Sequence, residues 1–354
     1  MGLHPLKEVL STNKQTLRNS TAEQPFVAVF TGATQGIGSF ALLELCRSVA
    51  YLQIHLLART PTSPTVVALI AQCKNLCPNV VFNVIQCKDL ALIRDVDAAT
   101  EQILRFERGE KEGGKGKGRV DLLCMSQGYL TFEGRKETKE GLDTRYSLIY
   151  HSRIRLTQNL LPLLLQSTHR GGARIISVFS PQGEKQLFES DLSLRSASHY
   201  NFTNTGSHVA YLKTFYFEEL AKKYPGKLSC VHYFPGLVAT GTFMNATLPL
   251  WFRVLWTLLR PLTALLSVKR EESGARILYH LSENFPARGE ECEGVALASD
   301  GTRGGGAYRV NYDNEVFPCK GDFERLRREG FAERAWVYSN TAVEEIARNG
   351  VFTG

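Results

Sequence analysis

The stretch FVAVFTGATQGIG, residues 26–38, decides the fold of this chain. A short apolar run typical of a buried strand leads directly into glycines at positions 32, 36 and 38, after which an apolar helical pattern begins. Glycines at such places permit a tight turn, and the helix N-terminus offers free N–H groups and positive potential to a phosphate. Because the turn stands at a strand-to-helix junction, it predicts a dinucleotide site. The candidate contacts are Thr31, Gly32, Gln35, Gly36, Ile37 and Gly38.

Further apolar runs follow this stretch at helix-length intervals. They span residues 53–58, 80–86, 120–125, 173–179 and 228–234, and their nearly continuous aliphatic content is typical of parallel strands covered on both faces. Helical patterns lie between them, at 37–49, 63–76, 90–107, 140–167 and 204–223. The repeated order of strand and helix predicts an α/β fold with a doubly wound, Rossmann-type sheet of about seven mainly parallel strands. We expect the seventh strand at 294–299.

Length and composition fit one enlarged domain with added segments. The chain has 354 residues, of which 43% are hydrophobic and 22% charged, and these values exclude wholesale disorder, collagen and coiled coil. The formal net charge of +7 suits an anionic cofactor, and the lack of a dense basic block interleaved with aromatics argues against nucleic acid. We predict an extension over 1–25, a nucleotide-binding domain over 26–299 with a lid at 241–283, and a C-terminal extension over 300–354 that packs on the core. A glycine-rich loop is expected at 109–118.

The cysteines and the N-terminus bear on location. Several of the eight cysteines lie inside apolar runs, and Cys73 and Cys77 have no second pair at zinc-ligand spacing, so we predict no metal site. The first residues lack the continuous apolar core of a secretory signal. A reduced, cytoplasmic protein is therefore expected.

Residues 248–268 form an intensely apolar stretch, LPLWFRVLWTLLRPLTALLSV. Arg253 and Arg260 interrupt it, and each guanidinium costs about 3 kcal/mol to place at the centre of a bilayer. We therefore interpret the stretch as an apolar lid or docking surface, and as a candidate for peripheral membrane contact rather than for a membrane span.

The motif TGxxxGIG in this setting resembles the short-chain dehydrogenase/reductase superfamily, over roughly residues 26–299. The resemblance implies that Arg59, which closes the second strand, meets a 2′-phosphate, so NADP(H) is favoured over NAD(H). It also implies that Asp89 lies near the adenine. A turn after the fourth strand and the segment PGLVAT after the sixth complete the cofactor frame, with Ser126, Gln127, Gly128, Pro235, Gly236, Val238 and Thr240.

The same resemblance implies a relay of asparagine, serine, tyrosine and lysine. Ser180 falls at the serine position, at the end of the fifth strand. Counting back from the PG pair places Gly206 at the tyrosine and Ala210 at the lysine, while counting along the preceding helix places Ile149 at the asparagine. The YxxxK motif is therefore missing, and we take Tyr150 and Arg153 as the best substitutes for orienting a substrate oxygen.

A subset of fungal short-chain-dehydrogenase-like proteins, several tied to natural-product pathways, resembles the chain almost from end to end. The similarity includes STNK, LLCMSQG, YHSRIR, FPGLVATG and GAYRVN, and members of this subset also depart from YxxxK. The resemblance therefore favours a role in secondary metabolism, and it implies that the helices at 140–167 and 204–223 are candidates for a homodimer interface.

Three functions remain open at this point. The first is an NADP(H)-dependent oxidoreductase that acts on a bulky apolar carbonyl or imine, with Ser180 polarising the substrate. Loss of a positioned general acid lowers a rate by about 10²- to 10⁴-fold, which disfavours hydride transfer without excluding it. The second is a non-redox cyclase or isomerase in which NADP(H) forms part of the pocket wall. The third is a non-catalytic binding protein.

Overall fold

The computed structural model describes residues 4–109, 118–238, 240, 248–289, 294–319 and 321–354, and it centres on a seven-stranded sheet. The strands run in the order β3-β2-β1-β4-β5-β6-β7, and each neighbouring pair is parallel. The predicted doubly wound sheet is confirmed. The strands are β1 Phe26–Thr31, β2 Tyr51–Ala58, β3 Asn79–Gln86, β4 Leu122–Met125, β5 Ala173–Val178, β6 Leu228–Tyr233 and β7 Ala307–Val310.

Helices cover both faces of the sheet, and local capping fixes where several of them begin. Ser63 accepts a hydrogen bond from the N–H of Val66, and Asn201 accepts one from Asn204, so two helices begin at N-caps. The helices are α1 Leu6–Leu17, α2 Ile37–Ser48, α3 Pro64–Leu76, α4 Ile93–Glu107, α5 Thr144–Tyr146, α6 Ser152–Leu164, α7 Phe202–Lys223, α8 Leu250–Leu266, α9 Arg270–Leu278, α10 Phe323–Arg328 and α11 Phe331–Asn349.

The predicted helix at 140–167 is divided. A π-helical turn, Ser147–His151, joins α5 to α6 and inserts an extra residue into the helical repeat. Side chains before and after the turn therefore do not follow the face that a continuous α-helix would give them. Most of the predicted glycine-rich loop, residues 110–117, and the first part of the predicted lid, residues 241–247, lie outside the described residues.

The prediction of a seventh strand at 294–299 is wrong. In that segment the N–H of Ala296 donates to Asn284 O and the N–H of Ala298 donates to Thr302 O, so its backbone is engaged in turns rather than in a ladder. The edge strand is instead β7, which pairs with β6. The sheet thus takes its last strand from the segment that was expected to be an extension beyond 299.

The sheet separates two apolar cores. Helices α4, α6, α7 and α11 cover one face, and α1, α2, α3 and α9 cover the other. Alternate strand residues supply the two sides, so Cys230 of β6 belongs to the first core and the adjacent Val231 to the second. Strands buried on both faces explain why the apolar runs in the sequence are nearly continuous.

The C-terminal helix α11 packs against α7 and α6. Trp336 stacks on Tyr216 with ring centroids 4.8 Å apart, and Phe331 meets Phe215 edge-on at 5.3 Å. The chain's own C-terminal helix therefore covers much of the surface that the resemblance implies for a homodimer.

Several buried histidines should make the fold sensitive to acid. Burial lowers the pKa of His151 and His280 to about 3, and that of His208 to about 4. An exposed histidine titrates near about 6.5, so below that pH the unfolded chain takes up protons that the folded chain does not. We expect the free energy of unfolding to fall below pH ~6.5 by about 1.4 kcal/mol per pH unit for each such histidine. Urea unfolding at pH 7.5, 6.5 and 5.5 measures this, and a stability that stays flat to pH 5.5 would contradict it.

Candidate active site

The turn between β1 and α2 depends on glycine for two physical reasons. Gly32 and Gly36 have φ of +70° and +68°, in the left-handed region that favours glycine. A Cβ added at Gly32 would lie 2.3 Å from the backbone N of Gln127, so the turn after β4 approaches too closely for any side chain. Within the described part of the chain, no side chain caps the N-terminus of α2, and its first N–H groups suit a pyrophosphate.

The turn after β4 is tied to the end of β1. The N–H and the Oγ of Ser126 both donate to Thr31 O, at 3.0 and 3.1 Å. The Thr31 Oγ1 donates to Gln127 Oε1 at 2.6 Å, and both side chains are buried. Thr31 and Gln127 therefore shape the backbone of the site, whereas the adjacent Gly128 is exposed.

The segment after β6 lies opposite the glycine turn. Gly236 has a φ of +70°, and a Cβ there would come within 2.9 Å of the Cβ of Tyr312. Val238 forms an isolated parallel bridge with Val268, which follows α8. The Cγ2 of Thr240 lies 3.7 Å from the place of a Cβ on Gly36. Pro235, which precedes Gly236, is buried.

The remaining predicted cofactor residues lie near the same edge of the sheet. Arg59 and Asp89 are exposed beyond the ends of β2 and β3, and Asp89 Oδ1 accepts a hydrogen bond from the N–H of Ala91. In the glycine turn Gln35 is exposed and Ile37 is half-buried. Doubly wound folds bind ligands at the carboxyl edge of the sheet. The predicted cofactor residues lie along this edge.

Two buried arginines hold the backbone on either side of Ser180. Arg153 of α6 donates to Val178 O at 2.8 Å, and Arg309 of β7 donates to Pro181 O and to the carboxylate of Glu184. Both guanidiniums are 2% exposed. Ser180 itself is half-buried at the end of β5, where the sequence placed it.

Arg153 also links this strand end to the turn after β4. Its Nη1 donates to Ser177 Oγ at 2.7 Å and its Nη2 donates to Gln127 O at 2.5 Å. Burial lowers the pKa of Arg153 to about 9. Since its two Nη groups are engaged by the protein, the structure does not support the prediction that Arg153 orients a substrate oxygen. Arg153 is a positioning residue.

The structure also places Tyr150 away from the cleft. Its side chain is fully buried, and its hydroxyl hydrogen-bonds to Ser339 Oγ of α11 at 2.5 Å. The predicted role of Tyr150 in orienting a substrate therefore lacks support. The cause is the π-helical turn, which changes the direction of the side chains that it contains.

A buried lysine that was not selected from the sequence lies beside Ile149, the residue counted at the asparagine position of the family relay. Lys213 is 1% exposed, and its Nζ donates to Ile149 O, in the π-helical turn, at 3.3 Å. Its ammonium nitrogen is 5.1 Å from the centroid of the Phe179 ring. Gly206, Ala210 and Lys213 have the i, i+4, i+7 spacing of one helix face. Lys213 therefore lies about one helical turn after Ala210, the residue counted at the lysine position of the family relay.

Gly206, at the position counted as tyrosine, faces the Ser180 loop. A Cβ on Gly183, three residues after Ser180, would lie 3.4 Å from Gly206 O. A Cβ on Gly206 would meet no heavy atom within 4 Å among the residues that the structure describes. Space therefore remains where a tyrosine would otherwise project.

His232 adds a further buried group to this region. Its ring stacks on Phe179, with centroids 6.2 Å apart, and neither ring nitrogen has a hydrogen-bond partner among the described residues. Burial, reinforced by the charges of Lys213 and Arg309, lowers the pKa of His232. The buried side chains of Lys213, Arg309 and His232 therefore lie close enough to influence one another electrostatically.

The fold and this edge of the sheet define a Rossmann-type α/β protein, and comparison with known proteins gives its family. No family model matches the chain. The short-chain dehydrogenase/reductase SAT2 of Stachybotrys chartarum is 32% identical over 351 residues, which cover 94% of this chain and 97% of that protein. The oxidoreductase AN1596 of Emericella nidulans is 31% identical over 333 residues, covering 90% and 92%. The chain belongs to the short-chain dehydrogenase/reductase family, a family of oxidoreductases.

Solved structures share the fold at low sequence identity. A protein of Mycobacterium paratuberculosis superposes with a TM-score of 0.54 at 18% identity, over 92% of this chain and 97% of that one. The NADPH-bound carbonyl reductase from chicken fatty liver gives a TM-score of 0.51 at 18% identity, over 83% and 94%. These similarities confirm the predicted fold class.

Two helical glycines of the site should respond oppositely to alanine. A Cβ at Gly38 of α2 would lie 2.9 Å from Ala33 Cα and 2.2 Å from Ser126 Oγ, so Gly38→Ala should cost about 1–3 kcal/mol of stability through overpacking. Gly206→Ala of α7 should instead stabilise the fold by about 0.5–1 kcal/mol, because the added methyl meets open space and the helix gains propensity. Urea unfolding of both variants checks this. Equal changes of the same sign would show that the packing at the glycine turn is not as described.

Proposed function

We propose that the protein is an NADP(H)-dependent oxidoreductase that acts on a bulky apolar carbonyl or imine with a non-standard set of catalytic residues. The observation that carries this proposal is the placement of Ser180 and the glycine turn at one edge of the sheet. The backbone N–H groups at the start of α2 and the tight, side-chain-free turn fit a pyrophosphate. NADPH, when bound, supplies the hydride.

Arg59 supports NADP(H) as the cofactor. Its side chain is exposed at the end of β2, where a cation suits a 2′-phosphate and a carboxylate would suit the ribose hydroxyl. The chicken carbonyl reductase that shares the fold is described as NADPH-bound, which agrees with this choice.

Ser180 is proposed to donate a hydrogen bond to the substrate oxygen. The carbonyls of Val178 and Pro181, before and after it, are held by Arg153 and Arg309, so the backbone that carries the hydroxyl is fixed from both sides. A donor held in place before the substrate binds needs little reorganisation when negative charge develops on that oxygen.

Lys213 is proposed as the source of the proton. It lies on the same face of α7 as Gly206, which faces the Ser180 loop and where an added Cβ would meet no described heavy atom within 4 Å. Burial, reinforced by the charge of Arg153, lowers the pKa of Lys213 well below its usual value, so its ammonium gives up a proton more readily than an exposed lysine.

An aromatic cluster supports an apolar substrate. Phe132, in the segment after β4, lies 5.3 Å from Phe202 at the start of α7 and 5.2 Å from Phe252 of α8, measured between ring centroids. Phe132 and Phe202 are 41% and 38% exposed. Partly exposed aromatic rings on three separate segments offer the kind of surface that bulky apolar ligands bind.

A non-redox cyclase or isomerase is the second candidate. The space beside Gly206, where the family tyrosine is missing, favours it, because a pocket without a positioned acid can still fold a substrate into a reactive shape. Product that forms equally with NADP⁺, with NADPH or with neither would select this candidate.

We also propose a cytoplasmic location and activity that does not require a homodimer. The described cysteines Cys46, Cys73, Cys77, Cys87, Cys124, Cys230 and Cys319 are free thiols, which supports a reducing, cytoplasmic environment. A homodimer through α6 and α7 would have to displace or include α11, so we expect the protein to be active without one.

Replacing Arg59 tests the cofactor preference. Arg59→Ala should weaken NADPH binding by about 10- to 100-fold and leave NADH binding unchanged, because only NADPH carries the 2′-phosphate. Fluorescence titration of the bound nicotinamide measures both affinities. Arg18→Ala, at an exposed arginine after α1, is the matched control and should bind like the wild type. An equal loss for both nucleotides would contradict the assignment of Arg59.

Replacing Lys213 tests the proton source. Lys213→Met should lower kcat by about 10²-fold while NADPH affinity is kept, and Lys213→Arg should not recover the rate, because a guanidinium keeps its charge but does not donate its proton. The wild-type rate should fall as the pH rises through the lowered pKa of Lys213, because the proton-donating ammonium is lost. The assay follows NADPH oxidation at 340 nm with bulky apolar ketones and imines.

Lys222→Met is the control for this series, since Lys222 lies at the exposed end of α7 and pairs with Glu219. Its kcat should match the wild type. A Lys213→Met variant with wild-type kcat and pH profile would rule out the proposed role of this lysine.

A further inference from the structure

We propose that one side of α8 docks the protein on an anionic lipid surface. We call this side the outer face of α8. Its residues are large, apolar and between 41% and 73% exposed. They are Leu250, Trp251, Val254, Leu255, Leu258 and Leu259.

These residues form one continuous stripe. Positions 250, 254 and 258 repeat every four residues, as do 251, 255 and 259, so the two rows adjoin along one side of the helix. The other side is also apolar: Phe252 contacts Phe132, with ring centroids 5.2 Å apart. A helix that is apolar on both sides normally buries both. The outer face is therefore an exposed patch of the kind that marks an interaction site.

The positive charges in and after α8 favour an anionic lipid surface as the partner of the outer face. Residues 248–270 contain Arg253, Arg260, Lys269 and Arg270 and no acidic residue, and Glu271 and Glu272 follow directly in the first turn of α9. Lys269 and Arg270 are exposed directly after α8. Cations beside an exposed apolar helix match anionic headgroups beside acyl chains. In a two-fold pair with α8 antiparallel on α8, Lys269 and Arg270 would instead lie opposite the first turn of the other helix, which carries no acidic residue and so offers them no anionic partner.

The helix would lie on the membrane rather than cross it. α8 has 17 residues, and with a rise of about 1.5 Å per residue it is about 25 Å long. Among the described residues, no helix is both long and apolar enough to span a bilayer.

Docking would place the cleft at the membrane. The N–H of Val268, just after α8, donates to Leu237 O at 2.8 Å, and Leu237 belongs to the segment opposite the glycine turn. Trp251 of the outer face lies 6.3 Å from Phe132 of the aromatic cluster, between ring centroids. Lipid-dissolved apolar molecules would thus meet the entrance directly. The proposed docking depends on the exposed face of α8 and on the nearby cations, and not on the proposed reaction.

Sedimentation of the full chain with lipid vesicles tests the proposal. We expect binding to vesicles of phosphatidylcholine and phosphatidylserine at a 7:3 ratio in 50 mM NaCl. Binding should be at least about tenfold weaker to phosphatidylcholine alone, or in 500 mM NaCl, because the anionic headgroups contribute and salt screens them. Leu258→Glu should weaken binding by about tenfold or more. Val337→Glu, at a residue of α11 that is 54% exposed, should bind like the wild type.

Three results would overturn the proposal. The first is a wild type that stays in the supernatant with phosphatidylserine vesicles, and the second is a Leu258→Glu variant that binds as well as the wild type. The third is a wild-type dimer in light scattering that Leu258→Glu converts to a monomer, because this would assign the outer face to a second copy. Since Leu258 is 73% exposed, circular dichroism should show that Leu258→Glu folds normally.

Discussion

The buried guanidinium of Arg153 holds the site together. It is 2% exposed, and it bonds to Gln127 O in the turn after β4 and to Val178 O at the end of β5. A buried cation is costly unless hydrogen bonds compensate for its lost hydration, and removing Arg153 would break the contacts with both carbonyl oxygens. One side chain therefore fixes the distance between the turn that faces β1 and the strand that carries Ser180.

A second arginine extends this arrangement to the C-terminal segment. Arg309 of β7 bonds to Pro181 O and to Glu184, on the far side of Ser180 from Arg153. β7 is the edge strand of the sheet, so the segment after residue 299 helps to shape the loop that carries the serine. Binding of cofactor and substrate at this edge would thus depend on contacts that extend over most of the chain.

The sequence predicts the sheet and the glycine turn because both follow from local patterns. The apolar runs and the glycines at 32, 36 and 38 are needed by the backbone itself, and Gly32 cannot be replaced without a clash with Gln127. The segment AYRVNY, which contains the edge strand at 307–310, is also strand-like in the sequence, but it was assigned to the C-terminal extension, because the choice between it and 294–299 depends on which one pairs with β6. Periodicity does not contain that information.

Local sequence patterns are also insufficient to place all of the candidate catalytic residues. Ser180 follows directly from the end of a strand, but Tyr150 was misplaced because a π-helical turn changes the helical repeat, and no residue type marks such a turn. Lys213 was not selected because it lies three residues after Ala210, the residue counted at the lysine position. Its spacing from Gly206 and Ala210, on one helix face, was the available signal.

These features favour a site that keeps the cofactor frame and Ser180 but draws its proton from a lysine rather than from a tyrosine. The most direct test is deuterium transfer from NADPH that carries deuterium at both C4 positions to bulky apolar ketones and cyclic imines, followed by mass spectrometry of the products. The account predicts one deuterium on the former carbonyl or imine carbon, and loss of that product in Ser180→Ala. Products that form without deuterium, or no product from any substrate although NADPH binds, would contradict it.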